Sequence, residues 1–278
     1  MNLPEFFRLP GAVAIDLDGT LLNSSGKVSS RNLHALAGCI ARDMPVVIAT
    51  GRPLRTTRRL LGTDLAAACS LVLSNGAVTR AALPFHGDAK SVFPQSLAGD
   101  FIAAVLDKEP DAIVTVEIDG LEFGSNRPPD WDPEALWKYN AATPDMVLTL
   151  DHAISRGASK IAVGGLAAGV SRLMDTVGRR FGRELSLVPS DGFSFLNVTM
   201  TDATKHGAIK RLIAPSGLTL DDVLAIGDDI PDLDMLRSCG IPVAMANACE
   251  EVLAVCPYRT VSNDEDGVAV VLEKIPGG

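Results

Sequence analysis

The sequence predicts an α/β fold: a parallel sheet with helices on both faces, interrupted by an inserted α+β segment. Short apolar runs alternate with stretches of helical periodicity, which is typical of buried parallel strands joined by helices. Over residues 82–186 this pattern changes, because prolines and turn residues accumulate and segments such as Ile113–Ile118 alternate in polarity. We therefore expect a core built from residues 1–81 and 187–278, with an inserted domain at 82–186.

Three predicted core strands lie in the first part of the chain. The apolar runs Gly11–Leu17, Met44–Ala49 and Ser70–Ser74 have the length of strands, and each ends in a polar cluster. A helix is predicted from about Ser29, because a serine hydroxyl can cap its first turn and apolar residues then recur at helical spacing. Another helix covers Arg55–Leu61. Since parallel strands end at one edge of a sheet, the polar clusters are expected to meet there.

The insert and the remaining core are predicted from the same patterns. Apolar stripes indicate insert helices at 98–106 and 170–181, with strands at 112–118 and 160–163. The core is expected to resume with a strand at Phe195–Thr199. The later core elements are predicted as helices at 208–213 and 250–255 and strands at 223–226, 241–245 and 259–261.

Charge and composition exclude several classes of function. The 278 residues include 25 basic and 34 acidic side chains, a formal net charge of -9, which argues against non-specific binding to nucleic acid or anionic lipid. No run approaches about 18 apolar residues, so no membrane span is predicted. The five cysteines are scattered without a C-x-x-C pair, as expected for reduced thiols in a cytoplasmic protein. We expect a monomer or a homodimer.

Two carboxylates, Asp16 and Asp18, follow the first predicted strand in the segment DLDGT. A spacing of two directs both side chains to one side of an extended chain. One carboxylate could then attack an electrophile while the other transfers a proton, and a cation between them would relieve their repulsion. Taken alone, the same pattern is also typical of an ordinary acidic turn.

Two further motifs offer groups that bind phosphate. Thr50-Gly51-Arg52 follows the second strand, and its hydroxyl and backbone amides could bond phosphoryl oxygens, although a helix-capping turn has the same composition. Lys205 precedes a helical run and could place a positive charge beside a bound anion. The alternative is a solvated lysine, since most lysines are exposed.

The fourth motif, GDDIPD, runs from Gly227 to Asp232 and places three carboxylates just after an apolar strand. Mg²⁺ prefers one or two carboxylates together with water and substrate phosphate. Asp228 and Asp232 are therefore candidate metal ligands. A solvated acidic loop is the alternative.

Together the four motifs, each at a predicted strand end or helix start, resemble those of the haloacid dehalogenase-like hydrolase superfamily. Within it the chain resembles the Cof-type phosphatases: Leu73–Ala77 (LSNGA) matches their N-G-A segment, Met245–Ala248 (MANA) their M-G-N-A, and Ser262–Ala269 their N-x-x-D-G-V-A. The resemblance covers nearly the whole chain. It implies a Rossmann-like core in which the insert is the α+β cap of class IIB.

The resemblance also implies a chemistry. Asp16 would be the nucleophile that forms an aspartyl-phosphate, and Asp18 the acid and base that protonates the leaving alkoxide and later activates water. Mg²⁺ would be held by Asp16, the backbone carbonyl of Asp18, and Asp228, with Asp232 as a further ligand or as support. The implied substrate-binding residues are Thr50, Gly51, Arg52, Asn75, Lys205 and Asn247.

Two positions depart from the family pattern. Pro231 stands where many relatives have asparagine, which removes an amide from the site, and Asp229 stands where a small residue is frequent. The spacing between Asp228 and Asp232 is kept. The metal site is therefore still expected.

The sequence thus predicts a Mg²⁺-dependent phosphatase of a small phosphorylated metabolite, with a sugar or polyol phosphate favoured. The alternatives are a phosphomutase of the same superfamily and a catalytically silent phosphate-binding module. A dehalogenase is disfavoured, because halide displacement needs neither the proton donor Asp18 nor a metal site. The insert is expected to form a lid that selects the substrate, with Trp131, Trp137 and Tyr139 either contacting substrate or packing in its own core.

Overall fold

The chain forms two compact units in the computed structural model, which describes residues 1–6, 8–127, 136, 140–166, 169–190 and 195–276. The first unit comprises Met1–Gly51, Arg58–Asp88 and Thr204–Gly278, and the second comprises Arg52–Thr57 and Ala89–Ala203. The second unit therefore begins at 89 rather than 82 and ends at 203 rather than 186. It also includes a short segment, 52–57, that the sequence assigned to the core.

The expectation that the core resumes at Phe195–Thr199 is wrong. The strand there, Phe195–Met200, pairs antiparallel with Leu185–Ser190 and with Lys160–Gly164 in the sheet of the second unit. A short strand with alternating burial suits the sheet of either unit, and only its pairing partners decide between them. The first unit resumes at Thr204.

The strands and helices of the described residues are numbered in chain order. The strands are β1 (Ala12–Asp16), β2 (Val46–Ala49), β3 (Ser70–Leu73), β4 (Val78–Arg80), β5 (Ala89–Lys90), β6 (Ile113–Glu117), β7 (Phe123–Ser125), β8 (Val147–Thr149), β9 (Lys160–Gly164), β10 (Leu185–Ser190), β11 (Phe195–Met200), β12 (Val223–Gly227), β13 (Ile241–Ala244) and β14 (Tyr258–Arg259). The α-helices are α1 (Ser30–Ile40), α2 (Leu54–Leu61), α3 (Thr63–Ala68), α4 (Gln95–Lys108), α5 (Leu150–Ser155), α6 (Val170–Phe181), α7 (Lys205–Ile213), α8 (Leu233–Ser238), α9 (Glu250–Val255) and α10 (Gly267–Leu272).

A sheet with the strand order β14-β13-β12-β1-β2-β3-β4 organises the first unit. Its strands run parallel from β14 to β3. All residues of β1, β2, β3 and β12 are buried, because both faces of these strands are covered, as in parallel sheets generally. On one face, Ala12 and Ala14 of β1 pack with apolar side chains of α7, α8 and α9. The predicted α/β fold class is confirmed.

The ends of four adjacent parallel strands carry the polar clusters that the sequence singled out. β1, β2, β3 and β12 end at Asp16, Ala49, Leu73 and Gly227, and each is followed by a turn. Because the strands are parallel neighbours, these turns share one edge of the sheet, as predicted.

The second unit has its own sheet, in the order β10-β11-β9-β6-β7-β8. Helices α4 and α6 pack on one face of this sheet. There the rings of Phe101 and Phe181 make an edge-to-face contact, with their centroids 5.4 Å apart. The alternating residues of the opposite face include Thr115, Ala162 and Asn197, which are half-buried. This unit is the α+β layer expected of the insert.

A buried ion pair fixes residues 52–57 in the second unit. Both terminal nitrogens of Arg55 bond the Glu117 carboxylate at 2.6 Å, and Arg55 Nε donates to the Asn140 carbonyl at 2.9 Å. The guanidinium also lies 4.5 Å from the centre of the Phe123 ring. The planar guanidinium suits such a bidentate contact, which ties the start of α2 to β6 and β7.

Within the described residues, no helix combines the length and the apolar character that crossing a membrane requires. All five cysteines carry free thiols, as the sequence predicts; Cys249 is half-buried and the other four are buried.

Candidate active site

The end of β1 forms a tight turn beside the second acidic motif. Asp16 is the last, buried residue of the strand, and Leu17–Leu21, called here the β1 turn, is closed by the bond from the Leu22 amide to the Leu17 carbonyl at 2.8 Å. Gly19 adopts φ +77°, and a side chain there would collide with the Asp228 carboxylate. Glycine therefore lets the turn pass directly against Asp228. The side chain of Asp18 is exposed at this turn.

Lys205 is brought to the site by the start of α7. The Thr204 hydroxyl accepts the Gly207 amide at 3.1 Å, which caps the helix so that it begins at Lys205. The Lys205 ammonium is buried and lies 2.6 Å from Asp16 Oδ1 and 2.7 Å from Asp232 Oδ1. The alternative of a solvated surface lysine is therefore wrong.

The acidic motif after β12 is organised by its own carboxylates. Asp232 Oδ2 accepts the backbone amides of Asp228 and Asp229 at 3.1 and 3.2 Å, which holds the turn Ile230–Asp232. Pro231 occupies the first part of this turn, where no amide hydrogen is required. Asp228 Oδ1 accepts the Thr20 hydroxyl at 2.6 Å, which joins the motif to the β1 turn.

Three carboxylates and one ammonium thus meet at the sheet edge. One oxygen each of Asp16, Asp228 and Asp232 lies within 4.8 Å of the others. Burial, and then the charge of Asp232, raise the pKa of Asp16 well above its usual range against the opposing effect of Lys205. Burial raises the pKa of Asp228 to about 7, although the bond from Thr20 opposes it. Burial lowers the pKa of Lys205, but the carboxylates of Asp16 and Asp232 outweigh it and the net shift is upward.

The cluster holds more negative than positive groups, because one ammonium faces three carboxylates. Burial is the main cause of the raised pKa values of Asp16 and Asp228, and the charge of the neighbouring carboxylates adds to it. Hard oxygen donors at this spacing, with an excess of negative charge, fit a divalent cation such as Mg²⁺.

The second and third strand ends are joined to each other. The Thr50 amide donates to the Val72 carbonyl at 2.8 Å, and the Thr50 carbonyl accepts the Asn75 amide at 3.0 Å. Ser74 and Asn75 both have positive φ, 52° and 57°, so the chain reverses sharply after β3. A side chain at Gly51 would meet the Asn75 carboxamide at 3.0 Å, so the two predicted residues are neighbours.

Two of the predicted substrate-binding residues, Arg52 and Asn247, are not grouped with Thr50, Gly51 and Asn75 at the ends of β2 and β3. Arg52 belongs to the second unit, with the segment 52–57. Asn247 uses both ends of its carboxamide within the first unit: Nδ2 donates to the Gly19 carbonyl at 2.8 Å and Oδ1 accepts the Asn263 amide at 3.0 Å. The candidate contacts Trp131, Trp137 and Tyr139 lie outside the described residues.

No role was predicted for Thr20 or Ser74, although both lie at the strand ends that form the site. Thr20 bonds Asp228, as described above. The buried Ser74 hydroxyl has no hydrogen-bond partner among the residues that the structure describes. Thr20 was readable as a hydroxyl directly after the aspartate pair, whereas Ser74 gave no signal because its exceptional backbone conformation is visible only in the fold.

Comparison with known proteins identifies the family. A model of the haloacid dehalogenase-like hydrolases matches residues 13–272. The Bacillus subtilis 5-amino-6-(5-phospho-D-ribitylamino)uracil phosphatase YcsE is 26% identical over 257 residues, which are 92% of this chain and 92% of that protein. The B. subtilis phosphatase YwpJ is 26% identical over 292 residues, covering 95% of this chain and 99% of that protein. The Arabidopsis thaliana chloroplastic endoribonuclease YBEY is 27% identical over 265 residues, but the chain spans only 44% of its length.

Solved structures show the same fold. TM0651 from Thermotoga maritima has a TM-score of 0.80 and 22% identity, with 98% of this chain and 99% of that chain covered. The subclass IIB sugar phosphatase BT4131 has a TM-score of 0.76 and 23% identity, with coverages of 94% and 97%. Since the family model matches most of its length, the chain belongs to the haloacid dehalogenase-like hydrolases and is a phosphatase.

Proposed function

We propose that this phosphatase hydrolyses a small phosphorylated metabolite through an aspartyl-phosphate at Asp16, with Mg²⁺ as cofactor. The observation that carries the proposal is the position of Lys205 between Asp16 and Asp232, with an oxygen of Asp228 close by. An ammonium neutralises part of the negative charge that spreads over a transferring phosphoryl group, and carboxylates can hold a cation that neutralises more of it.

We assign the covalent steps to the two aspartates of the first motif. Asp16 attacks phosphorus, so that a bond forms between its carboxylate and phosphorus while the bond to the substrate oxygen breaks. Asp18 donates a proton to the leaving alkoxide. In the second step Asp18 removes a proton from water, which attacks phosphorus and releases Asp16. Exposure of the Asp18 side chain supports this role, because an acid and base must reach leaving group and water.

The metal would be held by Asp16, the backbone carbonyl of Asp18, and Asp228. Mg²⁺ supplies positive charge that lets the phosphate approach a carboxylate and stabilises the charge of the transition state. Asp232 already accepts two backbone amides and the Lys205 ammonium. We therefore place it as the support that orients Lys205 and the Asp228 loop rather than as a metal ligand.

Groups for the phosphoryl oxygens come from the neighbouring strand ends. We assign this role to Thr50, Gly51, Asn75 and Lys205, and to Arg52, which follows Gly51 directly in the chain. The bonded strand ends of β2 and β3 support the assignment, because Thr50, Gly51 and Asn75 occupy neighbouring turns. The carboxamide of Asn247 bonds the Gly19 carbonyl and the Asn263 amide, so we assign it to support of the site rather than to substrate binding.

The favoured substrate class is a sugar or polyol phosphate, selected by the second unit. One relative is named for a phosphoribityl compound and one structural neighbour for a sugar phosphate, which supports this choice. All groups assigned to phosphoryl chemistry except Arg52 belong to the first unit, so recognition of the leaving group falls to the second. A panel of phosphorylated sugars, polyols, nucleotides and amino acids tests it: a preference for nucleotides would contradict it. We further propose a cytoplasmic monomer or homodimer.

The test of the reaction is Mg²⁺-dependent hydrolysis of p-nitrophenyl phosphate by the wild type and by Asp16→Asn. The variant should lose turnover, because an amide of nearly the same shape cannot attack phosphorus. Asp234→Asn, at an exposed position of α8, is the matched control and should keep full activity. In Asp18→Asn, mass spectrometry should find a phosphoryl group on the peptide that contains Asp16. Turnover by Asp16→Asn would contradict covalent catalysis, and an inactive wild type would favour a silent module.

A further inference from the structure

Two sequence motifs of this chain have no part in the phosphoryl chemistry described above. They are Met245–Ala248, which contains Asn247, and the segment Ser262–Gly267, called here the C-terminal loop. In the structure both contact the β1 turn and the residues directly after it.

Asn247 connects the β1 turn to the C-terminal loop. Its Nδ2 donates to the carbonyl of Gly19 at 2.8 Å, and its Oδ1 accepts the backbone amide of Asn263 at 3.0 Å. One carboxamide thus bonds two segments that are more than two hundred residues apart in the chain. One N–H of the amide and one lone pair of the oxygen are thus bonded to the protein.

The C-terminal loop makes two further bonds to the chain beyond the β1 turn. Asn263 Nδ2 donates to the Leu22 carbonyl at 2.8 Å, and Asp264 Oδ1 accepts the Ser24 amide at 2.8 Å. The buried Asn32 adds a bond to the Leu21 carbonyl at 3.4 Å while its Oδ1 accepts the Ala269 amide. Four side chains therefore bond consecutive parts of residues 19–24.

The C-terminal loop is itself held in one conformation. The Ser262 hydroxyl and amide both bond the Glu265 carboxylate, at 2.7 and 3.2 Å. Asp266 has φ +61°, and a side chain at Gly267 would collide with the Val261 carbonyl, so the loop closes only with glycine there. A segment fixed in this way can act as a rigid support for its neighbours.

The β1 turn departs from regular helical geometry, so contacts from outside it bear on its conformation. It is a single turn, and Asp18 and Gly19 inside it have non-helical backbone angles. Its Gly19 carbonyl accepts the Asn247 amide, so the orientation of the Gly19–Thr20 peptide, one residue beyond Asp18, depends on a donor outside the turn. A shift of about 1 Å at a reacting group can cost as much as a hundredfold in rate.

We propose that Asn247 and Asn263 are positioning residues for the reaction: they hold the β1 turn so that Asp18 and the backbone next to it keep their orientation toward Asp16. This inference rests on the proposed function of Asp16 and Asp18. It gives a physical role to two motifs that touch no reacting atom.

The test compares Asn247→Ala, Asn263→Ala and the double variant with the matched control Asn2→Ala. Asn2 also donates from Nδ2 to a backbone carbonyl of a distant segment, that of Pro257, at 2.9 Å. None of these substitutions changes the net charge. Two quantities are measured on the full-length protein: hydrogen–deuterium exchange of peptides that cover residues 17–24, and kcat and KM for p-nitrophenyl phosphate.

Both single variants should speed exchange in residues 17–24 and lower kcat about tenfold or more with little change in KM. The double variant should lower kcat scarcely more than the more strongly affected single variant does, because both residues hold the same turn. Asn2→Ala should match the wild type in kcat and in exchange of 17–24.

Unchanged exchange in residues 17–24 would overturn the proposal, whatever the activity. Faster exchange with wild-type kcat would also overturn it, since the turn would then be held without consequence for the reaction. A wild type without turnover would overturn the proposed function instead, and the exchange data would still decide whether Asn247 and Asn263 hold the turn.

Discussion

Lys205 Nζ lies 2.6 Å from Asp16 Oδ1, although 189 residues separate the two in the sequence. The same ammonium lies 2.7 Å from Asp232, so one positive charge serves two buried carboxylates. Buried charges depend on such partners far more than surface charges do, which makes this contact both a structural and a chemical element of the site.

Replacement of Lys205 by methionine should destabilise the protein and abolish turnover. The substitution leaves two buried carboxylates without their cation, and loss of one partner of a buried ion pair costs about 3–5 kcal/mol. Urea unfolding in EDTA measures this loss, with Lys210→Met, an exposed residue of the same helix, as control. Added Mg²⁺ should restore part of the stability, because it supplies positive charge to the folded state. Wild-type stability of Lys205→Met in EDTA would contradict the prediction.

Removal of divalent cations should inactivate the enzyme reversibly. EDTA should abolish hydrolysis of p-nitrophenyl phosphate, Mg²⁺ should restore it, and Ca²⁺ should inhibit because its looser, higher coordination would misplace the nucleophile. Asp228→Ala should raise the Mg²⁺ concentration for half-maximal activity more than about tenfold, or abolish activity. Asp221→Ala, at an exposed position before β12, is the control. Full activity in EDTA would show that the cluster needs no metal.

The buried pair of Arg55 and Glu117 should be worth more to the second unit than any exposed pair. Arg55→Met leaves the Glu117 carboxylate buried without a partner, at a cost of about 3–5 kcal/mol. Arg156→Met removes an exposed ion pair with Glu122 and should cost less than about 1 kcal/mol. The urea dependence of hydrogen exchange in β6 measures the loss of stability in both variants. The double variant Arg55→Met/Glu117→Leu should recover much of the loss, and equal effects of the two arginine variants would refute the argument.

The five thiols should differ sharply in reactivity. Burial raises the pKa of Cys69 and of Cys239 to about 12 and that of Cys256 to about 11, and it also raises the pKa of Cys39. Because the thiolate is the reactive form, these four should resist iodoacetamide at pH 8 in the folded protein. The half-buried Cys249 should react first, and all five should react in denaturant. Peptide mapping identifies the modified residues; rapid labelling of Cys69 before Cys249 would contradict the described packing.

The sequence alone determined the central parallel strands, their polar ends and most of the acidic site. An apolar run followed by D-x-D or GDDIPD is typical of a buried strand with a polar end. Because the strands run parallel, their ends bring Asp16 and Asp228 to one edge of the sheet. Helix α1 begins beyond Ser29 as predicted, because its hydroxyl accepts the Asn32 amide at 3.1 Å. These features depend on local pattern and on sheet geometry, which residue order carries directly.

Tertiary structure alone decided which sheet Phe195–Met200 joins, because strand pairing is a long-range choice that an alternating pattern does not encode. It also decided the hydrogen bonds of Asn247 and of Arg55. A carboxamide or guanidinium can bond a substrate or the protein equally well, and the bonds to Gly19, Asn263 and Glu117 form only once distant segments have met. Local sequence specifies the groups that a site can offer, whereas long-range packing determines which of those groups are already used.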